Sequence, residues 1–150
     1  MGRTDVPWVR DGLDVYCSRL SHYVQFSLVE LPALKGVGSL THQQIKEKEG
    51  KAILQGVKSS EDVFLLDERG VQRTSVEFSS WLQGRMTSPG RDMVFVIGGA
   101  YGFSKDVYSR ATGLVSLSKM TFSHQMVRTI FAEQLYRAFT IMKGEPYHHE

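Results

Sequence analysis

At 150 residues, with 41% apolar and 23% charged side chains, the chain fits one domain with a sizeable core and leaves no room for two of ordinary size. Its net charge of +2 suits an anionic partner but is far from the dense Lys/Arg field of a protein that grips nucleic acid by charge alone. No run of about eighteen apolar residues exists, the start MGRTDVPW has no hydrophobic signal core, Cys17 has no second cysteine to pair with, and the histidines lack zinc-ligand spacing; these exclude a membrane-spanning helix, a secreted disulfide scaffold and a structural metal, and indicate a cytoplasmic protein.

Asp5 to Tyr23 places Val9, Leu13, Tyr16, Cys17 and Leu20 at helical spacing and predicts a helix, with Cys17 a small buried residue. Val24 to Leu31 alternates and is rich in branched and aromatic residues, which predicts a strand closed by Pro32. After a loop with two glycines at Lys35 to Ser39, Thr41-His42-Gln43-Gln44 has the form of a capping box and opens a helix through about Leu54, weakened by its interior Gly50. DVFLLD, from Asp62 to Asp67, is a continuous apolar run typical of a strand buried on both faces, and Glu68-Arg69-Gly70 is read as a turn. Thr74-Ser75-Val76-Glu77 repeats the capping box ahead of Phe78, Trp81 and Leu82, and Ser88-Pro89-Gly90 breaks that helix.

MVFVI, from Met93 to Ile97, is a second buried-strand run ending directly in Gly98-Gly99-Ala100-Tyr101-Gly102. Ser104 caps a short helix through about Ala111, and Leu114 to Leu117 is a third strand-like run. From Ser123 onward Val127, Ile130, Phe131, Leu135, Phe139 and Met142 give a helix an apolar face, which Gly144 and Pro146 end. The tail Tyr147-His148-His149-Glu150 is more aromatic and polar than a frayed terminus needs to be. Strands with apolar rather than alternating patterns, interleaved with helices, predict an α/β fold with a mainly parallel sheet covered by helices on both faces.

Ligands of parallel sheets collect beyond the carboxyl ends of the strands. Three loops leave such ends, after Leu66, at Gly98 to Gly102, and from Leu117 to Phe122. Glycines directly after a buried strand let a nucleotide-like cofactor approach the backbone, or simply make a tight turn; neither a G-x-G-x-x-G fingerprint nor a P-loop decides between these. His124 and Arg128, four apart, would share one face at the start of the last helix and either bind phosphate or form a solvated polar face, the latter favoured on spacing alone. His22 and His42 are given no role, and Trp8 and Trp81 read as core or interface anchors.

Taken together, IGGAYGFS at Ile97 to Ser104, SLSKMTFSHQMVR at Ser116 to Arg128, EQLYRAF at Glu133 to Phe139 and PYHHE at Pro146 to Glu150 strongly resemble the RlmH family, ribosomal RNA large subunit methyltransferases of the SPOUT (alpha/beta-knot) superfamily. The likeness spans essentially the whole chain as one SPOUT domain, including DVFLLDERG at Asp62 to Gly70. It implies a C-terminal deep trefoil knot through which about Leu114 to Ser123 threads, a homodimer, and S-adenosylmethionine bound in the knot. By motif matching the cofactor contacts fall on Leu66, Gly98, Leu117, Ser118, Lys119, Met120, Thr121 and Phe122, within the loops that the strand-end argument selects.

The family reaction implied is methyl transfer to N3 of a pseudouridine in large-subunit rRNA on assembled ribosomes. That nitrogen carries a proton, so a base or a hydrogen-bonded environment must help to remove it. On this reading His148 handles the proton, Tyr147 positions or stacks the base, Arg137 and His124 meet RNA phosphate or the tail carboxylate, and Arg128 and His149 complete the RNA-facing set. Two departures from the family pattern stand out. The Gly2-Arg3-Thr4 turn follows Met1 at once, so a first core strand is expected to be missing, and His149 stands where many relatives carry arginine, which would make phosphate attraction there pH-dependent. The competing reading is a catalytically impaired ribosome-binding module of the same fold.

Overall fold

The computed structural model describes residues 2–87 and 90–149. In chain order the elements are α1 (Pro7–Leu20), a 3-10 turn (Val37–Ser39), α2 (His42–Gly56), β1 (Asp62–Gln72), α3 (Ser75–Met86), β2 (Met93–Ile97), α4 (Lys105–Arg110), β3 (Gly113–Ser116) and α5 (Met126–Lys143). Both capping boxes form. The Gln44 N–H donates to the Thr41 hydroxyl at 3.2 Å while the Thr41 N–H donates to the Gln44 side chain at 2.9 Å; Thr74 and Glu77 repeat this at 3.2 and 2.8 Å. Each box satisfies two N–H groups that a helix start otherwise leaves unpaired. At the other end of the chain α5 stops at Gly144, whose φ of 66° is left-handed and suits glycine.

The chain divides into two compact units, one of Met1–Arg3, Glu30–Gln72 and Arg91–His124, the other of Thr4–Val29, Arg73–Gly90 and Gln125–Glu150. The first unit holds a parallel sheet in the order β2-β1-β3. Asp62 to Leu65 of the central strand are buried, as the apolar run implies, whereas the edge strand β2 is mostly half-buried. Val63 and Leu65 pack with Val96 of β2, Ile53 of α2, and Phe103 and Val107 around α4. Gly50, which reads in the sequence as a weak point of α2, is needed there: a Cβ would collide with the Ser104 hydroxyl, so glycine is what lets α2 close on the start of α4.

Two expectations fail in this part of the chain. Among the described residues Val24 to Leu31 forms no strand, although the Leu31 carbonyl accepts from the Gly2 N–H at 2.9 Å; Leu28 and Val29 are exposed, and the segment straddles one boundary between the units. Strand-like composition measures fit to a neighbouring strand, and none pairs with it among the described residues. Glu68-Arg69-Gly70 does not end β1 either, since the strand runs on to Gln72. Both Leu66 and Val71 pair with Val115, so residues 67–70 arch out between two stretches of ladder. Gly70 returns so close to β3 that a Cβ would stand 2.6 Å from the Val115 backbone.

In the second unit α1 and α3 both pack on α5. Val9, Leu13 and Leu20 of α1, Phe78 and Leu82 of α3, and Phe131, Leu135, Ala138 and Phe139 of α5 are buried. Ser79, on the inner face of α3, donates to the Ala138 carbonyl at 2.8 Å. The helix begins at Met126 rather than Ser123, after a turn at His124 and Gln125. Gln125 instead serves α1: its side-chain carbonyl accepts from the Asp5 and Val6 N–H groups at 3.2 Å. Cys17 is half-buried, and burial pushes its thiol up. Trp8 is exposed and anchors no core here, while Trp81 stacks on Phe78. Of the expected break after α3, Ser88 and Pro89 lie outside the described residues, as does Glu150 of the tail.

Candidate functional site

Sheet register decides what the first unit can present. Leu66 pairs with Ile97 on one side and Val115 on the other, so the three strands come level at these residues. The chain leaves that level at Asp67, at Gly98 and, one residue beyond Val115, toward Leu117. Leu66, Gly98, Leu117, Ser118 and Phe122 are half-buried, while Lys119, Met120 and Thr121 are exposed. The last segment is braced internally: Ser116 Oγ donates to the Ser118 carbonyl, and the Met120 N–H donates to Ser118 Oγ, both at 3.0 Å. Gly98 lies against the Phe103 ring, 3.1 Å from where a Cβ would sit. Gly99 and Gly102 face each other across a tight turn, with the Gly102 N–H donating to the Gly99 carbonyl at 3.2 Å.

A polar cluster follows Leu66. Tyr108 donates to Asp67 Oδ2 at 2.5 Å, Arg69 grips the same carboxylate from Nε and Nη2 at 3.1 Å, and the guanidinium lies over the Tyr108 ring at 4.7 Å. Burial alone would raise the Asp67 carboxyl, but the hydrogen bonds from Arg69 and Tyr108 outweigh it and hold it at about 2. The Tyr108 phenol is pushed up to about 12 by burial and by Asp67. Beside the glycine turn, His42 at the start of α2 stacks on Tyr101 with ring centroids 4.1 Å apart.

The second unit ties down the tail. Glu133 Oε1 accepts from Arg137 Nη2 at 2.5 Å, from Arg137 Nε at 3.0 Å and from the Tyr147 hydroxyl at 3.1 Å. Arg137 Nη1 stands 3.3 Å from His148 Nδ1, and its guanidinium lies over the Tyr147 ring at 4.8 Å. An arginine only donates, so in this contact His148 Nδ1 is the accepting atom. Tyr147 also packs edge-on against Tyr136 and meets the Tyr16 hydroxyl at 3.4 Å. Burial, then Tyr16 and Glu133, push its phenol well above the ordinary value, so it stays protonated and acts as a donor. Tyr23 donates to Glu145, just before the tail.

Tyr147, His148 and Arg137 are thus brought together, and Glu133, which the sequence reading did not single out, joins them. The available signal was spacing, since Glu133 and Arg137 are one helical turn apart and directly precede the tail. Arg128 is not on a solvated face; it is buried and donates from Nη1 to the buried Thr4 hydroxyl at 2.7 Å. His124 and His149 are exposed, and His124 precedes α5, so helical spacing does not align it with Arg128. No metal-binding cluster occurs among the described residues, nor is any of their helices long and apolar enough to cross a membrane.

The family profile described as "Predicted SPOUT methyltransferase" matches residues 1–148, which defines the class. The ribosomal RNA large subunit methyltransferase H of Christiangramia forsetii is 52% identical over 149 residues, covering 99% of this chain and 95% of that protein. Those of Flavobacterium johnsoniae and Parabacteroides distasonis are 51% and 47% identical over 150 residues, all of this chain and 96% of each relative. The chain belongs to the RlmH family of SPOUT methyltransferases, enzymes whose methyl donor is S-adenosylmethionine.

Proposed function

We propose that this chain, acting as a single methyltransferase domain in a cytoplasmic homodimer, methylates N3 of a pseudouridine in the large-subunit rRNA of assembled ribosomes. The observation that carries the reading is the convergence of Leu66, Gly98 and Leu117 at one end of a parallel sheet, in a chain about half identical to named rRNA methyltransferases over its full length. Membership of the SPOUT family supports a C-terminal trefoil knot, with helices covering both faces of the parallel sheet. Exposed Trp8 and Val15 on α1 suit a dimer contact.

The residues present fit the cofactor. Phe103 packs 3.1 Å from where a Cβ on Gly98 would stand, so only glycine fits there, and Leu66, Leu117 and Phe122 offer half-buried apolar surface around backbone groups that can read a purine edge. Ser118, Lys119, Met120 and Thr121 complete the cradle. When bound, S-adenosylmethionine supplies an electrophilic methyl group. The protein's remaining tasks are to align the attacking nitrogen and remove its proton. His148 does the latter: Arg137 occupies Nδ1 in the free chain, and an arriving RNA phosphate draws Arg137 away, leaving that lone pair for the N3 proton. Tyr147, held by Glu133, positions the base, and the exposed His124 and His149 serve the RNA side, while Arg128, expected among them, is buried against Thr4 and serves the fold instead. Weak net charge favours the shaped, assembled ribosome over naked RNA.

The test is incubation with methyl-labelled S-adenosylmethionine and whole ribosomes, separated subunits or naked large-subunit rRNA, followed by digestion and mass spectrometry. Label on N3 of one pseudouridine, strongest with whole ribosomes, is expected. Label on another base, or none, would overturn the reading.

A further inference from the structure

Glu49 sits on α2 one residue before Gly50, where the helix is pressed against Ser104 without room for a side chain. That contact fixes where Glu49 points, and it points at the glycine turn after β2. The two carboxylate oxygens stand 2.5 and 2.6 Å from where a Cβ on Gly99 would be, so glycine at that position is what admits the acid. Oε2 is buried and has no hydrogen-bond partner among the described residues. Desolvation raises the acid's pKa. A shut-in acceptor with no donor costs stability, and such groups in folded proteins call for an explanation. The residue as a whole is half-buried, with Oε2 its shut-in end behind Gly99. The turn covering it is closed by the Gly99–Gly102 bridge, in which the Gly102 N–H donates to the Gly99 carbonyl at 3.2 Å.

We infer that Glu49 is a cofactor-binding residue whose carboxylate accepts hydrogen bonds from the ribose hydroxyls of S-adenosylmethionine; this rests on the methyltransferase reading above and adds an acid to a site otherwise built from backbone and apolar groups. The cofactor offers three kinds of partner for an acceptor, namely the hydroxyl pair, the ammonium and the sulfonium. The sulfonium is the poorest choice, because its charge disappears as the methyl leaves, and an anion beside it would favour the ground state over the transition state. Adjacent hydroxyls match an acceptor-only carboxylate with two oxygens side by side. Gly50 and Gly99 are then the two glycines that set the acid in place.

Calorimetry on the full chain tests this without relying on turnover. Glu49→Met and Glu49→Gln are compared with wild type for S-adenosylhomocysteine, its 2′-deoxy and 3′-deoxy forms, and methylthioadenosine, which lacks the amino acid. Loss of a hydrogen bond to a charged group predicts roughly ten- to a hundredfold weaker binding of S-adenosylhomocysteine by Glu49→Met. The loss should be equal for methylthioadenosine and largely absent for at least one deoxy form. The unliganded Glu49→Met protein should melt at or above the wild-type temperature, because an unsatisfied carboxylate has gone. Gly99→Ala, which displaces the carboxylate, should weaken binding in wild type but add little to Glu49→Met. Unchanged affinity in the Glu49 variants, or a loss confined to ligands carrying the ammonium, would overturn the assignment. Failure of wild type to bind S-adenosylhomocysteine at all would instead overturn the reading on which it rests.

Discussion

The strand-end unit and the helical unit hold their functional residues by different means. In the first, sheet register and glycine decide: Leu66, Gly98 and Leu117 are placed by the pairing of Leu66 with Ile97 and Val115, and Gly50, Gly70 and Gly99 permit approaches that any side chain would block. In the second, Glu133, Arg137, Tyr147 and His148 hold one another through charged and hydroxyl groups. A site made by backbone tolerates exchange of exposed side chains such as Met120 but not of glycines. A site made by a side-chain network can lose its chemistry to a single truncation while its fold stands.

His148→Ala should give the largest effect, lowering methyl transfer to ribosomes by about 10² to 10⁴-fold, the range of a lost general base. Cofactor affinity should stay at wild type; a parallel fall in both would dissolve the division between the units. Next is Gly70→Ala. With backbone atoms 2.6 Å from the new Cβ, it should cost about 2–4 kcal/mol of stability in urea unfolding, as buried steric conflicts do. A cost near zero would mean that β1 can relax away from β3. Thr41→Ala and Thr74→Ala remove equivalent caps, one in each unit, and each should cost about 1 kcal/mol. If the units unfold separately, urea melts of these two variants will affect different transitions.

The smallest effect belongs to Asp67→Asn, because the Arg69 side chain is 64% exposed and solvent screens the pair. The folded carboxyl at about 2 lies below the ordinary value of about 3.9. Its contribution is therefore full above pH ~4 and lost as pH falls through about 2. Stability curves of wild type and Asp67→Asn should differ at neutral pH and converge at the acid end. A gap that persisted at low pH would point to lost packing rather than charge.

Much of this was legible because its causes are local. Thr41 with Gln44, Thr74 with Glu77, Ser104 before its helix, and Gly144 after α5 each act within a few residues, and all form as the pattern implies. The runs DVFLLD and MVFVI are both strands, but only the first is buried as its pattern implies; MVFVI lies at the sheet edge and is mostly half-buried. Where a partner distant in the chain decides, the pattern misleads. Val24 to Leu31 alternates like a strand but pairs with no strand among the described residues, and Glu68 to Gly70 looks like a turn but bridges two stretches of pairing with β3. Arg128 at a helix start reads as solvent-facing, yet it is buried against Thr4, 124 positions away.

The amino-acid sequence alone thus determined the helix caps, the buried strands, the parallel α/β class and, through its motifs, the family. Only the tertiary structure decided which glycines are obligatory, that Glu133 binds the tail together, and that a carboxylate oxygen of Glu49, without a hydrogen-bond partner among the described residues, stands behind Gly99. The physical reason is range. Caps and periodicity are set by neighbours along the chain, whereas close backbone approach and the satisfaction of buried polar groups depend on what folding brings alongside.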